Sequence, residues 1–160
     1  MKNTKGNRLE VVYIAPTELV PYADNPRVHP ERQIKKLMAS IETYGIVLPI
    51  LVGKDKGIIA GHAVVEAAIR LEKTEVPCVC AAYLTEAQIR EYILADNRLA
   101  EDSTWDTAKL KAEMLHLRDN YGLTLEGTGF ESREILRLRL DVAESLGNED
   151  EVAKERVVNA

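Results

Sequence analysis

Residues 59–68 read IAGHAVVEAA, in which an apolar pair leads into a glycine and then an alanine- and valine-rich run. The pattern predicts that a short strand ends before Gly61 and that a helix extends from His62 to about Glu72. N–H groups at the start of a helix lack acceptors within it and carry the positive end of the helix dipole. Glycine lets an anion approach the backbone, and a histidine ring donates a hydrogen bond. The stretch therefore predicts a phosphate or other anion site, with a simple turn carrying a surface histidine as the alternative.

The residues before this stretch predict two strands and a helix. Leu9–Ile14 is apolar and β-branched, which is typical of a first strand. Asn25-Pro26-Arg27 is a turn signal, and the apolar stripe that follows Pro30 predicts a helix that ends at Gly45. The stripe consists of Ile34, Leu37, Met38 and Ile41. Ile46–Val52 predicts a second strand, and Pro49 within it indicates an edge position or a bulge.

The residues after the stretch predict one more strand and then helices. Glu75–Ala81 is expected to be the strand. Thr85-Glu86-Ala87-Gln88 is a capping box that opens a helix reaching Asp96-Asn97-Arg98. Strands therefore occupy the first half of the chain and helices the second. This order predicts an α+β fold with a helical C-terminal portion rather than a doubly wound sheet.

Within the helical C-terminal portion, Asp106 is expected to cap a helix that ends at Gly122. Its apolar face, together with Trp105, is expected to serve packing. That face consists of Leu110, Met114, Leu117 and Tyr121. A last helix is expected from about Ser132 to Leu146, and its interleaved charges indicate a solvated face more than a DNA-binding stripe.

The composition describes an ordinary globular protein. Hydrophobic residues make up 46% and charged residues 29% of the chain, and no apolar run approaches the length of a membrane span. The net charge is −5. A protein that holds DNA by bulk electrostatics is usually basic, so DNA contact would have to come from a local patch or a partner. We expect a cytoplasmic protein with weak DNA binding and no membrane partner.

The cysteines and histidines predict neither a disulfide framework nor a zinc site. Cys78 and Cys80 are expected to lie on one face of a strand as buried, reduced core residues. A zinc site needs about four ligands, and the three histidines are scattered along the sequence. They are His29, His62 and His116.

Four segments in order carry a resemblance to a known family. They are Asn25-Pro26-Arg27, the Ser40–Val52 run with Gly45 and Leu48-Pro49-Ile50, the Ile59–Ala68 stretch, and Asp96-Asn97-Arg98-Leu99-Ala100-Glu101. Together, from about Val12 to Trp105, they resemble the ParB N-terminal domain, with its "SIxxxGxxQPIxV" segment, its phosphate loop and its "ENxQR" box. The ADNRLAE form is similar to that of phage and prophage members associated with DNA methyltransferases.

The resemblance implies a fold, a domain division and a set of partners. The fold is the ParB/sulfiredoxin type, a small mixed sheet with helices. Residues 1–104 would form the ParB-like domain, 105–147 a helical extension and 148–160 a flexible tail. The implied ligands are CTP or ATP with Mg²⁺. The implied partners are DNA, a DNA methyltransferase or another protein, and a second copy in a homodimer.

The candidate phosphate-binding residues are Asn25, Arg27, Gly61 and His62. Arg27 follows a proline-fixed turn and is suited to bind a phosphate through two N–H groups, with a solvated loop residue as the alternative. The carboxylates of Asp96 and Glu101, with the carbonyl of Asn97, are suited to hold Mg²⁺. The alternative for this second group is a polar helix end with pairs three or four residues apart.

This chain departs from the family pattern at positions that bear on catalysis. Val64 stands where the phosphate loop has arginine, Leu99 and Ala100 replace the glutamine and arginine of the box, and Leu48 replaces the glutamine of QPI. Val64→Arg is therefore expected to tighten nucleotide binding, or to destabilise the protein if Val64 lies in the core. CTPase or nuclease activity is left open. The sequence allows a nucleotide-binding or DNA-associated module in phage DNA modification, partition or regulation, a ParB-fold nuclease or small-molecule kinase, or a degenerate interaction domain.

Overall fold

The computed structural model describes residues 9–137 and divides the chain into two units, Met1–Thr104 and Trp105–Ala160. The described part of the first unit, residues 9–104, holds four strands and three α-helices. The strands are β1 (Val11–Ile14), β2 (Ile50–Val52), β3 (Ile58–Ala60) and β4 (Val76–Cys80), and the helices are α1 (Glu31–Tyr44), α2 (His62–Arg70) and α3 (Glu86–Glu101). The described part of the second unit holds α4 (Thr107–Tyr121) and further helical residues at 132–137.

The four strands form one mixed sheet in the order β1-β4-β2-β3. β1 pairs antiparallel with β4, β4 pairs parallel with β2, and β2 pairs antiparallel with β3. The outer edge of β3 is partly covered at its start, where the Ile58 N–H donates to the Val20 carbonyl across 2.8 Å. A small mixed sheet flanked by helices confirms the predicted α+β class.

Two of the three clusters of buried side chains in the described residues join α2 to the rest of the first unit, and the third contains Ile59, Ala81 and Ile93. The sheet core joins the strands to α2, and the helix core joins α1 to α2. The sheet core contains Leu19, Ile50, Val52, Ile58, Val65, Ala68, Val76 and Cys78, and the helix core contains Ile34, Ile41, Ala63 and Ala67. Alanine on α2 has no bulk beyond Cβ, so α1 packs closely against α2 and the predicted stripe of α1 is confirmed at Ile34 and Ile41.

The predicted edge position of the second strand is wrong. β2 begins at Ile50 rather than at Ile46, and it lies between β4 and β3 in the interior of the sheet. Pro49 has no N–H to donate, so it stands just before the ladder rather than inside it. The alternative, a bulge, agrees with the structure, because the register of β2 against β3 shifts between Leu51 and Val52.

The prediction that both cysteines are buried holds for one of them. Cys78 is fully buried in the sheet core, and burial raises the pKa of its thiol. Cys80 shares its face but stands at the exposed end of β4, where its Sγ lies 3.5 Å from the Gly53 carbonyl oxygen. Alternation assigns a residue to a face, but exposure at a strand end depends on what covers that end.

Four helix boundaries follow the predicted caps. The amide of Gln88 donates to Thr85 Oγ1 at 3.3 Å and the Thr85 amide donates to Gln88 Oε1 at 3.0 Å, which is the predicted capping box of α3. Gly45 ends α1 with a φ of 75°. In the second unit, Asp106 accepts from the Lys109 amide at 3.1 Å and Gly122 ends α4 in the left-handed conformation.

The aromatic residues of the second unit are less buried than expected. Met114 of α4 is buried, but Tyr121 is 66% exposed and Trp105 is 69% exposed, although the Trp105 ring lies 5.7 Å from the ring of Phe130. The packing prediction is therefore wrong for the outer aromatic residues. The predicted last helix is helical over 132–137, and its remainder and the predicted tail lie outside the described residues. None of the helices within residues 9–137 is long and apolar enough to cross a membrane.

Candidate functional site

Gly61 joins β3 to α2 in a conformation that only glycine adopts easily. Its φ is 100°, and a Cβ built on it would lie 3.2 Å from Cγ1 of the buried Ile50. As the N-cap of α2 it offers no side chain to the first N–H groups of the helix. The amides of residues 62–64 have no acceptor within the helix, so this end retains the free donors that an anion requires.

His62, the first residue of α2, uses one ring nitrogen inside the protein. The Tyr22 N–H donates to His62 Nε2 across 3.2 Å, so Nε2 carries no proton and the remaining N–H is at Nδ1. Burial, and then the nearby charge of His29, lower the pKa of His62. The ring is therefore a neutral donor through Nδ1 at physiological pH rather than a cation.

The three histidines are separate in the sequence, but the charge of His29 acts on His62 in the fold. His29 is close enough for its charge to act on the pKa of His62, and its Nδ1 lies 3.1 Å from Gln33 Oε1 at the start of α1. His116 belongs to α4 in the other unit.

The segment Tyr22–Arg27 leads from His62 toward α3. The Asn25 amide donates to the Tyr22 carbonyl at 3.1 Å, and Asn25 Oδ1 accepts from the Arg27 amide at 3.1 Å. The side-chain oxygen of Asn25 thus closes an Asx turn that orients Arg27. In this arrangement the side-chain oxygen of Asn25 positions the backbone of the segment.

Arg27 reaches α3, where it contacts two of the predicted site residues. Its Nη1 donates to Glu101 Oε1 at 3.0 Å and to the Asn97 carbonyl at 3.3 Å. A cavity of about 210 Å³ opens at this contact between the loop and α3. The structure therefore brings Arg27, Asn97 and Glu101 together.

The three residues proposed as magnesium ligands do not converge in this conformation. Asn97 and Glu101 are four positions apart on one face of α3, whereas Asp96 is exposed and lies about 100° around the helix from Asn97. The side-chain amide of Asn97 donates to the Ile93 carbonyl at 2.8 Å. Within residues 9–137, no group of three or more His, Cys, Asp or Glu side chains is arranged to hold a metal ion. The magnesium site stays a prediction, and an ion there would have to compete with Arg27 for Glu101.

Comparison with known proteins identifies the family. Residues 1–97 match the model of the ParB N-terminal domain, which covers more than half of the chain. The chain belongs to the ParB N-terminal domain family. The family predicted from the four segments is confirmed.

Two similar proteins add to this ParB assignment. The "ParB-like nuclease domain-containing protein YnaK" of Escherichia coli K12 is 40% identical over 83 residues, which are 52% of this chain and 95% of that protein. A crystal structure of the C-terminally truncated chromosome-partitioning protein ParB from Caulobacter crescentus, complexed with CTP-gamma-S, has a TM-score of 0.70. It covers 81% of this chain and 76% of that chain at 19% identity, a likeness that establishes the common fold.

Val64, where the family's phosphate loop has arginine, is a packing residue in this ParB domain. It is partly buried and contacts both the sheet core and the helix core. A side chain in that position points into the protein rather than toward the open end of α2. An arginine introduced at position 64 would therefore not restore the missing charge at the start of α2.

One feature around the site was not predicted from the sequence. A groove of about 480 Å³ lies beside the site. Tyr22 lines this groove together with Ile59, Leu84 and Ile89. The guanidinium of Arg90 lies 5.7 Å from the centre of the Tyr22 ring. Arg98 forms the pairs three and four residues apart that were the alternative prediction for this helix end, with Glu101 at 3.6 Å and with Asp102 at 2.7 Å. The proline and the aromatic residue at positions 21–22 were the only local sign of this groove in the sequence.

Proposed function

We propose that this ParB-type domain binds a nucleoside triphosphate, with the phosphate chain between the start of α2 and Arg27, and that it acts as a DNA-associated module. One observation carries the proposal. A single segment, Tyr22–Arg27, is bonded at one end to His62 and at the other to Asn97 and Glu101. Hydrogen bonds thus link three segments that are distant in sequence, each of which is a candidate for ligand binding.

The length of the linking segment is compatible with an extended anionic ligand. Tyr22 and Arg27 are separated by no more than about 18 Å of extended chain. The bond between the Tyr22 carbonyl and the Asn25 amide shortens this span. Free amides at residues 62–64 and the Nδ1–H of His62 supply donors at one end, and the Arg27 guanidinium supplies a charge at the other.

The donor set is lean, so we expect modest affinity. It relies on backbone amides, a neutral histidine and Arg27, while Val64 contributes packing instead of charge. Charge-assisted bonds contribute about 1.5–3 kcal/mol each, and a single arginine provides few of them. CTP is the first candidate because the Caulobacter crescentus ParB of the same fold was crystallised with CTP-gamma-S.

The DNA association is proposed to depend on partners. The net charge of −5 provides no field that would attract a polyanion over a distance. We propose that a second copy of the chain or a DNA-modifying enzyme supplies additional contacts, as in the phage and prophage type with its methyltransferases. Partition and regulation are the other processes in which such a module would act.

Two further candidates have specific support. Tyr44, Val47 and Leu48 are 55%, 73% and 82% exposed around the end of α1, an apolar grouping that favours a protein-interaction domain. The name of the Escherichia coli relative contains the term nuclease domain, which makes nuclease activity the other candidate. Binding of ATP or Mg²⁺ would be compatible with an interaction domain and with a nuclease.

Calorimetric titration tests the proposed function. CTP, ATP and ADP, each with Mg²⁺, are titrated into the full chain with and without duplex DNA. Saturable heat with CTP that is lost in Arg27→Gln supports the nucleotide site. No heat with any nucleotide, together with an intact fold, would favour the interaction domain, and cleavage of plasmid DNA by the same sample would favour the nuclease.

A further inference from the structure

Glu101 at the end of α3 lies between two arginines. Its Oε1 is 3.0 Å from Nη1 of Arg27, and its Oε2 is 3.6 Å from Nη1 of Arg98. One carboxylate therefore satisfies cations from two different parts of the fold, the loop that ends at Arg27 and the last turn of α3. A carboxylate in this position presents two oxygens to two guanidinium groups, much as a phosphate would.

The cavity at this contact is lined by few residues. Its walls are Pro26, Arg27, Leu94, Asn97, Arg98 and Glu101, and its volume is about 210 Å³. Pro26 and Leu94 are apolar, and Glu101 provides the anionic side chain of the lining. The negative charge of Glu101 thus partly neutralises the positive charge of Arg27 and Arg98 in the cavity.

Arg27 is held in place without Glu101. The Arg27 amide is bonded to Asn25 Oδ1 at 3.1 Å, and its Nη1 also donates to the Asn97 carbonyl at 3.3 Å. Arg98 has Asp102 as a second partner at 2.7 Å. The side chain of Glu101 is 55% exposed, so it can rotate into water without unpacking any core residue. Loss of Glu101 from this contact would leave both guanidinium groups near their present positions.

We propose that Glu101 is a built-in competitor for a phosphate group that binds to Arg27 and Arg98 together. When a phosphate enters the cavity, it takes the place of the carboxylate between the two guanidinium groups, and Glu101 turns out to solvent. The identity of the ligand as a phosphate chain rests on the proposed function. The assignment of Arg98 as a second cation and of Glu101 as the group that weakens binding goes beyond it.

The test compares two glutamate substitutions on the same helix. Glu101→Gln removes the competing charge, and Glu91→Gln removes an equal charge from an exposed position of α3. Pyrophosphate and CTP are titrated into the full-length parent and variants by calorimetry at constant ionic strength. Glu101→Gln is expected to tighten binding about fivefold, the size of an exposed ion pair, and Glu91→Gln to leave it within about twofold.

Arg98→Gln completes the design. Alone it is expected to weaken pyrophosphate binding about fivefold, and combined with Glu101→Gln it should abolish most of the gain. The inference would be overturned if Glu101→Gln bound pyrophosphate no more tightly than the parent, or only as tightly as Glu91→Gln. If CTP still binds and is lost in Arg27→Gln while the Glu101 and Arg98 variants match the parent, the inference fails and the proposed function stands. If the parent and Glu101→Gln both fail to bind pyrophosphate and CTP, both fail.

Discussion

The Tyr22 amide donates a hydrogen bond to His62 Nε2 across 3.2 Å, and this bond ties the first residue of α2 to a loop forty positions earlier. The bond requires an unprotonated Nε2, which leaves Nδ1–H as the donor of the ring. Because Tyr22 begins the segment that ends at Arg27, the protonation state of one histidine is linked to the position of the whole loop. Stability and ligand binding should therefore share a pH dependence.

We expect stability to fall as the pH is lowered below about 6.5, the ordinary histidine value. Burial and the charge of His29 lower the pKa of His62 in the folded protein, so around pH 6 the unfolded chain binds more protons than the folded chain. The contribution of His62 is complete above the unfolded pKa and is lost as the pH falls toward the folded pKa. Urea unfolding at about pH 8 and about pH 5.5 measures the difference.

His62→Ala should reduce this pH dependence and lower the free energy of unfolding by about 1 kcal/mol near pH 8, because the Tyr22 amide loses its acceptor. His116→Ala is the matched control, since His116 is exposed on α4. A pH dependence that is unchanged in His62→Ala, or that disappears in His116→Ala instead, would refute the assignment to His62.

Gly61→Ala should destabilise the domain by about 1–3 kcal/mol. Its φ of 100° disfavours any side chain, and the new Cβ would approach Cγ1 of Ile50 to 3.2 Å. Gly57→Ala at the other end of β3 is the control, because a Cβ there has nothing within 4 Å. Thermal unfolding of both variants checks the prediction, and equal stabilities would show that the turn at Gly61 is not as described.

Val64→Arg should lower the free energy of unfolding by about 2 kcal/mol without tightening nucleotide binding. The expectation from the family pattern alone was a gain in affinity, but Val64 packs against both cores. Ile69→Arg, at a 45% exposed position of the same helix, should change stability by no more than about 0.5 kcal/mol. Tighter CTP binding by a stable Val64→Arg variant would mean that residue 64 can face the ligand.

Duplex DNA should bind the isolated chain weakly, with a Kd in the range of about 1–100 µM at physiological salt, and the affinity should fall steeply with ionic strength. The net charge of −5 is the reason. Fluorescence anisotropy at about 50 mM and about 200 mM salt provides the measurement. Nanomolar binding that depends on sequence and persists at the higher salt concentration would contradict the need for a partner.

The strand, turn and helix around Gly61 could be predicted because their signals are local. The glycine, the β-branched strand and the capping box at Thr85 each determine the backbone within a few residues. The edge position expected for the second strand was wrong because strand order depends on pairing between distant segments. Pro49 indicates where a ladder cannot begin, but it does not indicate which neighbours β2 will have.

The candidate site was predictable in its parts but not in its contacts. The segments that hold Arg27, Gly61 and Glu101 were identified from the family pattern. The sequence predicts Glu101 as a metal ligand, but it gives no sign of the arginine that this carboxylate contacts in the fold. Its ion pair with Arg27 spans 74 positions. Contacts of this length depend on the tertiary fold, which also determines that Val64 faces the core.

The most direct test of the nucleotide site is a backbone amide NMR titration of the full chain with CTP and Mg²⁺. We expect saturable shifts of the amides of residues 62–64, together with Tyr22 and Arg27, and much smaller shifts of the amides of α4. In Arg27→Gln the same amides should shift only at a concentration about tenfold higher. The absence of saturable shifts, or shifts confined to residues outside the Tyr22–Arg27 segment and the start of α2, would contradict the proposed site.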